Sequence, residues 1–166
     1  MAETSVTLRA WRAKDAPVLV AAWNDPTIAA VSRPPDDRSI GAAERWIDGC
    51  AVREQRLLAI DRVVSANGRC VGEVGLSSID QGRQAALIGW WTAAGQRGNG
   101  YATAAVREMT ALAFDEFGIT AVVAEIGIDN LRSVRVAERA GFELLRQGAE
   151  GLAHAYVFRH DGARSQ

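Results

Sequence analysis

Seven consecutive residues, Gln96-Arg97-Gly98-Asn99-Gly100-Tyr101-Ala102, carry the strongest chemical signal in the chain. They separate a short apolar and aromatic run, Ala85 to Thr92, from a helical pattern that begins at Ala102. At such a junction successive backbone N–H groups and the positive end of a helix converge on one point, which attracts phosphate. Gly98 and Gly100 let the backbone approach a pyrophosphate without interference from a Cβ. Two better-known phosphate loops do not match. A Walker loop needs Lys and Ser/Thr after its last glycine, where Tyr101 and Ala102 stand, and the dinucleotide fingerprint needs glycine or alanine where Thr103 stands. About 30 residues later a second polar group appears, Asn130 and Ser133. Helical spacing puts them on one face with Val136, Ala137 and Ala140, so they lead a stripe that is otherwise core-facing.

The first of these stretches, Gln/Arg-x-x-Gly-x-Gly/Ala entering a helix, resembles the coenzyme A pyrophosphate loop of the GNAT N-acetyltransferase superfamily. The run from Asn130 to Phe142 is similar to its second signature, in the form N-x-x-S-x-x-V-x-x-x-x-G-F found in the ribosomal-protein alanine acetyltransferase branch. The resemblance extends from about residue 6 to residue 159. It implies acetyl-CoA as co-substrate, without a metal, held where strands 85–92 and 120–126 splay apart. Gly89 would start the splay as a strand bulge, or else mark a close backbone approach. Backbone groups of Trp91 and Thr92 would bind the pantetheine amides. Gln96, Arg97, Gly98, Asn99, Gly100, Tyr101 and Ala102 would cradle the pyrophosphate, and Asn130 would hold the cofactor backbone or a water.

The implied reaction is direct attack of an uncharged primary amine, a peptide N-terminus or a small molecule, on the thioester carbonyl. Many members protonate the departing thiolate with a tyrosine at the position of Ala137, and many carry a glutamate where this chain has Leu87. Ser133 is the alternative acid, or a pantetheine ligand. Glu73, Glu125 and His154 are candidate bases, beside a water chain or deprotonation in solution. Arg132, Arg135 and Arg139 form a basic stripe that is either a phosphate contact or a solvated helix face. The missing tyrosine and glutamate also allow a non-catalytic CoA-binding regulatory module, and a plain interaction domain would bind no CoA.

The positioning elements are legible from periodicity. Val6–Trp11, Leu57–Ile60, Arg69–Leu76, Ala85–Thr92, Thr120–Ile126, Leu144–Arg146 and Ala153–Phe158 read as strands, with Asn67-Gly68 as a hairpin turn. Helices are expected after Asp15 and Ser39 as N-caps, from Ala102 to Phe117, and from Asn130 to Gly141. Asn24-Asp25-Pro26 should break the first helix. Ser32 to Arg38 reads as a loop, which the resemblance makes one wall of the acceptor groove. Together these define an α/β (α+β) protein of GNAT architecture, with a mixed, mostly antiparallel sheet of six or seven strands flanked by about four helices.

At 166 residues with 48% apolar content, the chain is expected to form a single domain over residues 1–166. Nineteen basic against 20 acidic residues argue against nucleic acid or an anionic membrane surface as partner. Cys50 and Cys70 have neither metal nor disulfide spacing and read as free thiols. The start lacks the pattern of a signal peptide, and no apolar run could cross a bilayer, so a cytoplasmic monomer or homodimer is expected.

Overall fold

The computed structural model describes residues 4–161. Seven strands, β1 (Thr7–Arg9), β2 (Ala59–Ala66), β3 (Arg69–Asp80), β4 (Ala85–Thr92), β5 (Ala121–Ile126), β6 (Glu143–Arg146) and β7 (His154–Arg159), form one sheet in the order β1-β2-β3-β4-β5-β7-β6. All neighbouring pairs are antiparallel except β4 and β5. At the β2–β3 hairpin both Asn67 (φ 50°) and Gly68 (φ 74°) are left-handed, as a two-residue turn matching the strand twist requires.

Six α-helices are described: α1 (Ala16–Asn24), α2 (Pro26–Ser32), α3 (Ile40–Asp48), α4 (Cys50–Gln55), α5 (Tyr101–Phe117) and α6 (Leu131–Arg139). The two beyond the four expected have local causes. Asp25 ends α1 but also starts α2, because its side chain accepts from the N–H of Thr27 (2.8 Å) and Ile28 (3.3 Å) while Pro26 fills the first helical position. Gly49 separates α3 from α4, so Cys50 begins α4 rather than extending the apolar face of α3.

Strand alternation sorts the core onto two faces. Ile60, Val74, Leu76 and Val122 face the apolar side of α5, with Val106 and Met109, and α6, with Ala137. The other face packs Val63 and Trp91 against Trp11, Leu19, Trp23 and Ala43. Gly118, at φ 63°, ends α5 in the left-handed cap that glycine adopts without strain.

Asp15 departs from its expected role. It stands at the N-terminus of α1, but its carboxylate makes no cap bond there and instead accepts from Arg9 Nη1 (2.7 Å), Arg9 Nη2 (2.9 Å) and the N–H of Arg12 (3.0 Å). Burial alone would raise its pKa, yet the Arg9 and Arg12 hydrogen bonds outweigh that and hold it below the usual range. A depressed carboxyl contributes its stability above the ordinary carboxylate pKa and loses it on acidification. Replacing Asp15 by Ala strands the Arg9 guanidinium, and urea titration at neutral pH should show a loss of about 2–4 kcal/mol. The deficit should shrink toward pH 3.

Candidate active site

The parallel ladder between β4 and β5 is short. It pairs Ala85 with Ala121, Ala86 with Val122 and Leu87 with Val123, and then stops. Beyond that point β4 stays on β3 as far as Thr92, and β5 stays on β7 as far as Ile126. The splay therefore begins two residues before Gly89. Register across Gly75 and Gly89 is continuous, and a Cβ added at Gly89 would meet nothing within 4 Å. Gly89 is thus neither a bulge nor a close approach. It is exposed, on the floor of the opening.

The same geometry corrects the expected role of the Trp91 backbone. Its carbonyl points into the β3 ladder against Gly72, and the N–H of Ala93 donates to Val71 O (2.9 Å). By alternation the backbone groups of Ile88, Trp90 and Thr92 are those turned toward β5. The Trp91 indole is buried with Trp11 and Val63, while Trp90 packs on the α5 side.

Two cavities meet in the splay. The first, about 570 Å³, is lined by Trp91, Thr92, Gln96, Arg97, Gly98, Gly100, Tyr101, Ala102, Asn130 and Ser133, together with Thr27, Ile28, Val31, Trp90, Thr103 and Val136. Arg132, Arg135 and Arg139 line it too, which puts the basic stripe on the glycine loop's cavity. Because the first intrahelical bond of α5 runs from Ala104 N–H to Gly100 O (3.2 Å), the N–H groups of Tyr101, Ala102 and Thr103 lack helical partners. Asn99 stands apart from the lining residues. Its amide donates to the carbonyls of Gln96 (3.0 Å) and Arg97 (3.4 Å), and its carbonyl accepts from Thr4 Oγ1 (3.1 Å), so it builds the loop. Gly100 is left-handed (φ 79°), and a Cβ there would press on Thr4 Oγ1 at 3.0 Å.

Arg97 acts through its side chain. Nη2 reaches Asp25 (2.7 Å) and Nε donates to Thr92 O (3.2 Å), tying the glycine loop to the start of α2 and to the end of β4. This contact spans 72 positions and has no local sequence signal. Arg97→Ala should therefore weaken CoA binding by at least about tenfold, the worth of a charge-assisted hydrogen bond, as measured by calorimetry.

The second cavity, about 380 Å³, is lined among others by Trp46, Asp61, Glu73, Gly75, Ser77, Gly89 and Glu125. It shares Val31, Trp90, Trp91, Asn130 and Ser133 with the first. Asn130 caps α6, accepting the Ser133 N–H at 3.2 Å, which fixes Ser133 at the common wall. Glu73 Oε2 is sealed from solvent and makes no hydrogen bond, as is true of Trp11 Nε1. Burial first and the charge of Asp61 second push the Glu73 carboxyl up to about 8, against a smaller pull from the Trp11 and Trp91 indoles and Arg53. Asp61 itself is raised by burial although Arg53 donates to its Oδ2 from both Nε and Nη2 (3.2 Å each). Asp61 and Arg53 were not expected from sequence, since Asp61 reaches the site only through strand pairing. Glu125 is exposed on the cavity rim. His154 lines neither cavity, and its Nδ1 accepts from Gly148 N–H (2.9 Å). Leu87 also lies outside both, and Ala137 is fully buried in the core. Among the described residues no cluster of His, Cys, Asp or Glu could hold a metal, and no helix is long and apolar enough to cross a membrane.

A β4–β5 splay facing a glycine loop at a helix N-terminus defines a class of protein, and comparison with known families gives the same class. Residues 5–143 match the Acetyltransferase (GNAT) domain, and the chain belongs to that family. The Bacillus subtilis (strain 168) protein named as a ribosomal N-acetyltransferase, YdaF, is 34% identical over 86 residues, covering 52% of this chain and 47% of that one. The chain thus aligns with about half the length of that relative. Mycobacterium smegmatis RimJ in complex with CoA-disulfide superposes with a TM-score of 0.82 at 19% identity, covering 97% of this chain and 84% of that one. Spermidine N-acetyltransferase from Vibrio cholerae, in complex with CoA and spermine, does so at 0.80 and 17% identity, covering 95% and 96%.

The buried Glu73 carboxyl has a stability signature of its own. A carboxyl raised in the fold keeps its proton while the unfolded chain loses it, so stability falls as pH rises from the ordinary range near 4.5 through about 8. Glu73→Gln should raise the Tm at pH 8.5 and change it little at pH 4.5, read by thermal denaturation across pH.

Proposed function

We propose that the chain is an acyl-CoA-dependent N-acyltransferase that moves an acetyl group from acetyl-CoA to a primary amine, either a peptide N-terminus or a small molecule. One observation carries this reading. The β4–β5 splay joins a cavity with phosphate-binding character to a cavity lined by carboxylates, and Ser133 lies on the wall they share. The residues fit the co-substrate: three N–H groups without helical partners begin α5, Arg132, Arg135 and Arg139 line the same cavity, and the freed β4 edge offers backbone groups to the pantetheine amides. Gln96, Gly98, Gly100, Tyr101, Ala102 and Thr92 contribute as lining residues, with Asn99 and Arg97 holding the loop in shape.

Acetyl-CoA supplies a thioester carbonyl that an uncharged amine attacks directly. Glu73, raised to about 8, takes the ammonium proton, because a base whose pKa lies near the working pH combines availability with driving force. Ser133 donates its hydroxyl proton toward the departing sulfur, taking the role of the tyrosine that Ala137 replaces. Burial of the Glu73 carboxyl strengthens its charge interactions relative to water. Cys50 and Cys70 are both free thiols, which suits a reducing cytoplasm.

Release of free thiol from acetyl-CoA, measured across a panel of amines, tests the reading. The kcat/KM profile should carry an inflection near 8 that stays put when acceptors of different pKa are compared. It should vanish in Glu73→Gln with a loss of about 10²–10⁴-fold. Ser133→Ala should lower kcat more than it weakens CoA binding. CoA binding without thiol release from any amine would instead mark a regulatory CoA module.

A further inference from the structure

Among the described residues two side-chain atoms are sealed from solvent without a hydrogen bond, Glu73 Oε2 and Trp11 Nε1. The indole N–H can only donate, and a carboxylate oxygen can only accept. They belong to one cluster. Strand register pairs Glu73 with Val63 and Trp91 on the floor of the second cavity, a trough over β2, β3 and β4, and the Trp91 and Trp11 rings lie 6.3 Å apart between centroids. The Trp11 indole stands near enough to draw the pKa of the Glu73 carboxyl down, although no bond is made. The chain fixes Trp11 from both sides. Arg9 donates to Ala10 O (3.1 Å) and to both oxygens of Asp15, and Asp15 accepts from the N–H of Arg12. This clamp encloses a residue that lies outside every strand and helix, and the Trp46 ring meets it edge-on at 5.8 Å.

We infer that Trp11 is a positioning residue for Glu73, its indole N–H held ready for Oε2 and donating to it when the carboxyl ionises. This rests on the reading of Glu73 as the base. Only the ionised carboxyl can take the ammonium proton, and burial together with the charge of Asp61 disfavours that form. An N–H···O⁻ bond made in the ionised state opposes both and keeps the base available near neutral pH. The other groups around Glu73 leave this task open. Asp61, one row away on β2, repels it, and Arg53 of α4 is tied to Asp61. Cys50 and Cys70 hold their protons, and Glu125 brings only a further negative charge to the same cavity from β5. Trp91 adds a pull from β4, but it lines the trough, whereas Trp11 Nε1 is closed off from water.

The test follows both atoms by NMR in the full chain. The Trp11 indole N–H signal, assigned through its backbone connectivities, should move downfield with the same midpoint as the Glu73 carboxyl carbon, about 8, and should stop titrating in Glu73→Gln. Trp11→Phe keeps an aromatic ring and removes the donor. The Glu73 midpoint should then rise to about 9 or above, the worth of a charge-assisted hydrogen bond. In step with it, kcat/KM should fall at least about tenfold at pH 7 and recover toward wild type above the new midpoint. Trp23→Phe, the same change in the same buried cluster, should leave the midpoint in place. An indole signal that ignores the titration of Glu73, a Trp11→Phe loss equal at every pH, or an equal shift in Trp23→Phe would each overturn the inference. If Trp11→Phe does not fold, the indole titrations of the wild type and Glu73→Gln decide alone. If no amine releases thiol, the acyltransferase reading fails, while the NMR titrations still decide whether Trp11 serves Glu73.

Discussion

The structure depends on where two parallel strands stop pairing. After Leu87 and Val123 each strand keeps one partner, β3 for β4 and β7 for β5, so neither is free to follow the other as the sheet twists. The inner edges then carry backbone groups that cannot bond across the gap, and buried groups of that kind must be satisfied by something else. Arg97 satisfies one of them, the carbonyl of Thr92, and in doing so anchors the glycine loop. The rest of the freed edge of β4 faces the two cavities. The fold gives up part of a ladder there and gains a polar, preorganised slot in the middle of an otherwise apolar sheet.

Burial and charge compete on the face that lines the second cavity. Arg53 is the local hub: it donates to Asp61, to Trp46 O (3.2 Å) and to Cys50 Sγ (3.0 Å), and it stacks 4.6 Å from the Trp46 ring centroid. Its charge is thereby committed to Asp61, and Glu73 one row away receives only a remnant of it. Desolvation wins at Glu73, and the carboxyl holds its proton up to about 8. A buried acid whose partners do not offset its desolvation costs stability above its ordinary pKa, and groups of this kind concentrate at functional sites.

Much of this was readable from residue order. Alternation and helical spacing located four of the six helices and all seven strands, although β2 runs from Ala59 to Ala66 and not from Leu57 to Ile60, and the glycine loop and the Asn130 cap announced themselves through local chemistry. What stayed hidden was set by tertiary contact. Arg97 meets Asp25 across 72 positions, Asp61 enters the site only through the β2–β3 register, and Asp15 gives up its cap for Arg9. The backbone direction of Trp91 depended on which strand edge is open, a parity that a sequence run alone does not fix. The helix α2 was missed because Asp-Pro, read as a break, is also a good way to start a new helix.

The arrangement also bears on whether the acetyl group would pass through the protein on its way to the amine. A covalent intermediate needs a nucleophile beside a base. Neither thiol qualifies: burial, aided by Asp61, pushes Cys50 up to about 12, while burial, aided by Asp15, pushes Cys70 up to about 11, and neither lines the first or the second cavity. Ser133 does line both cavities, but the imidazole that could have activated it, His154, lies outside them with its Nδ1 committed to Gly148. Glu73 stands on the opposite side of the junction, beside Trp91 in the trough. On the proposed reading, a carboxyl in the second cavity and a lone hydroxyl on the wall that both cavities share suit a single displacement, in which one group would remove a proton from the amine and the other would return one to sulfur.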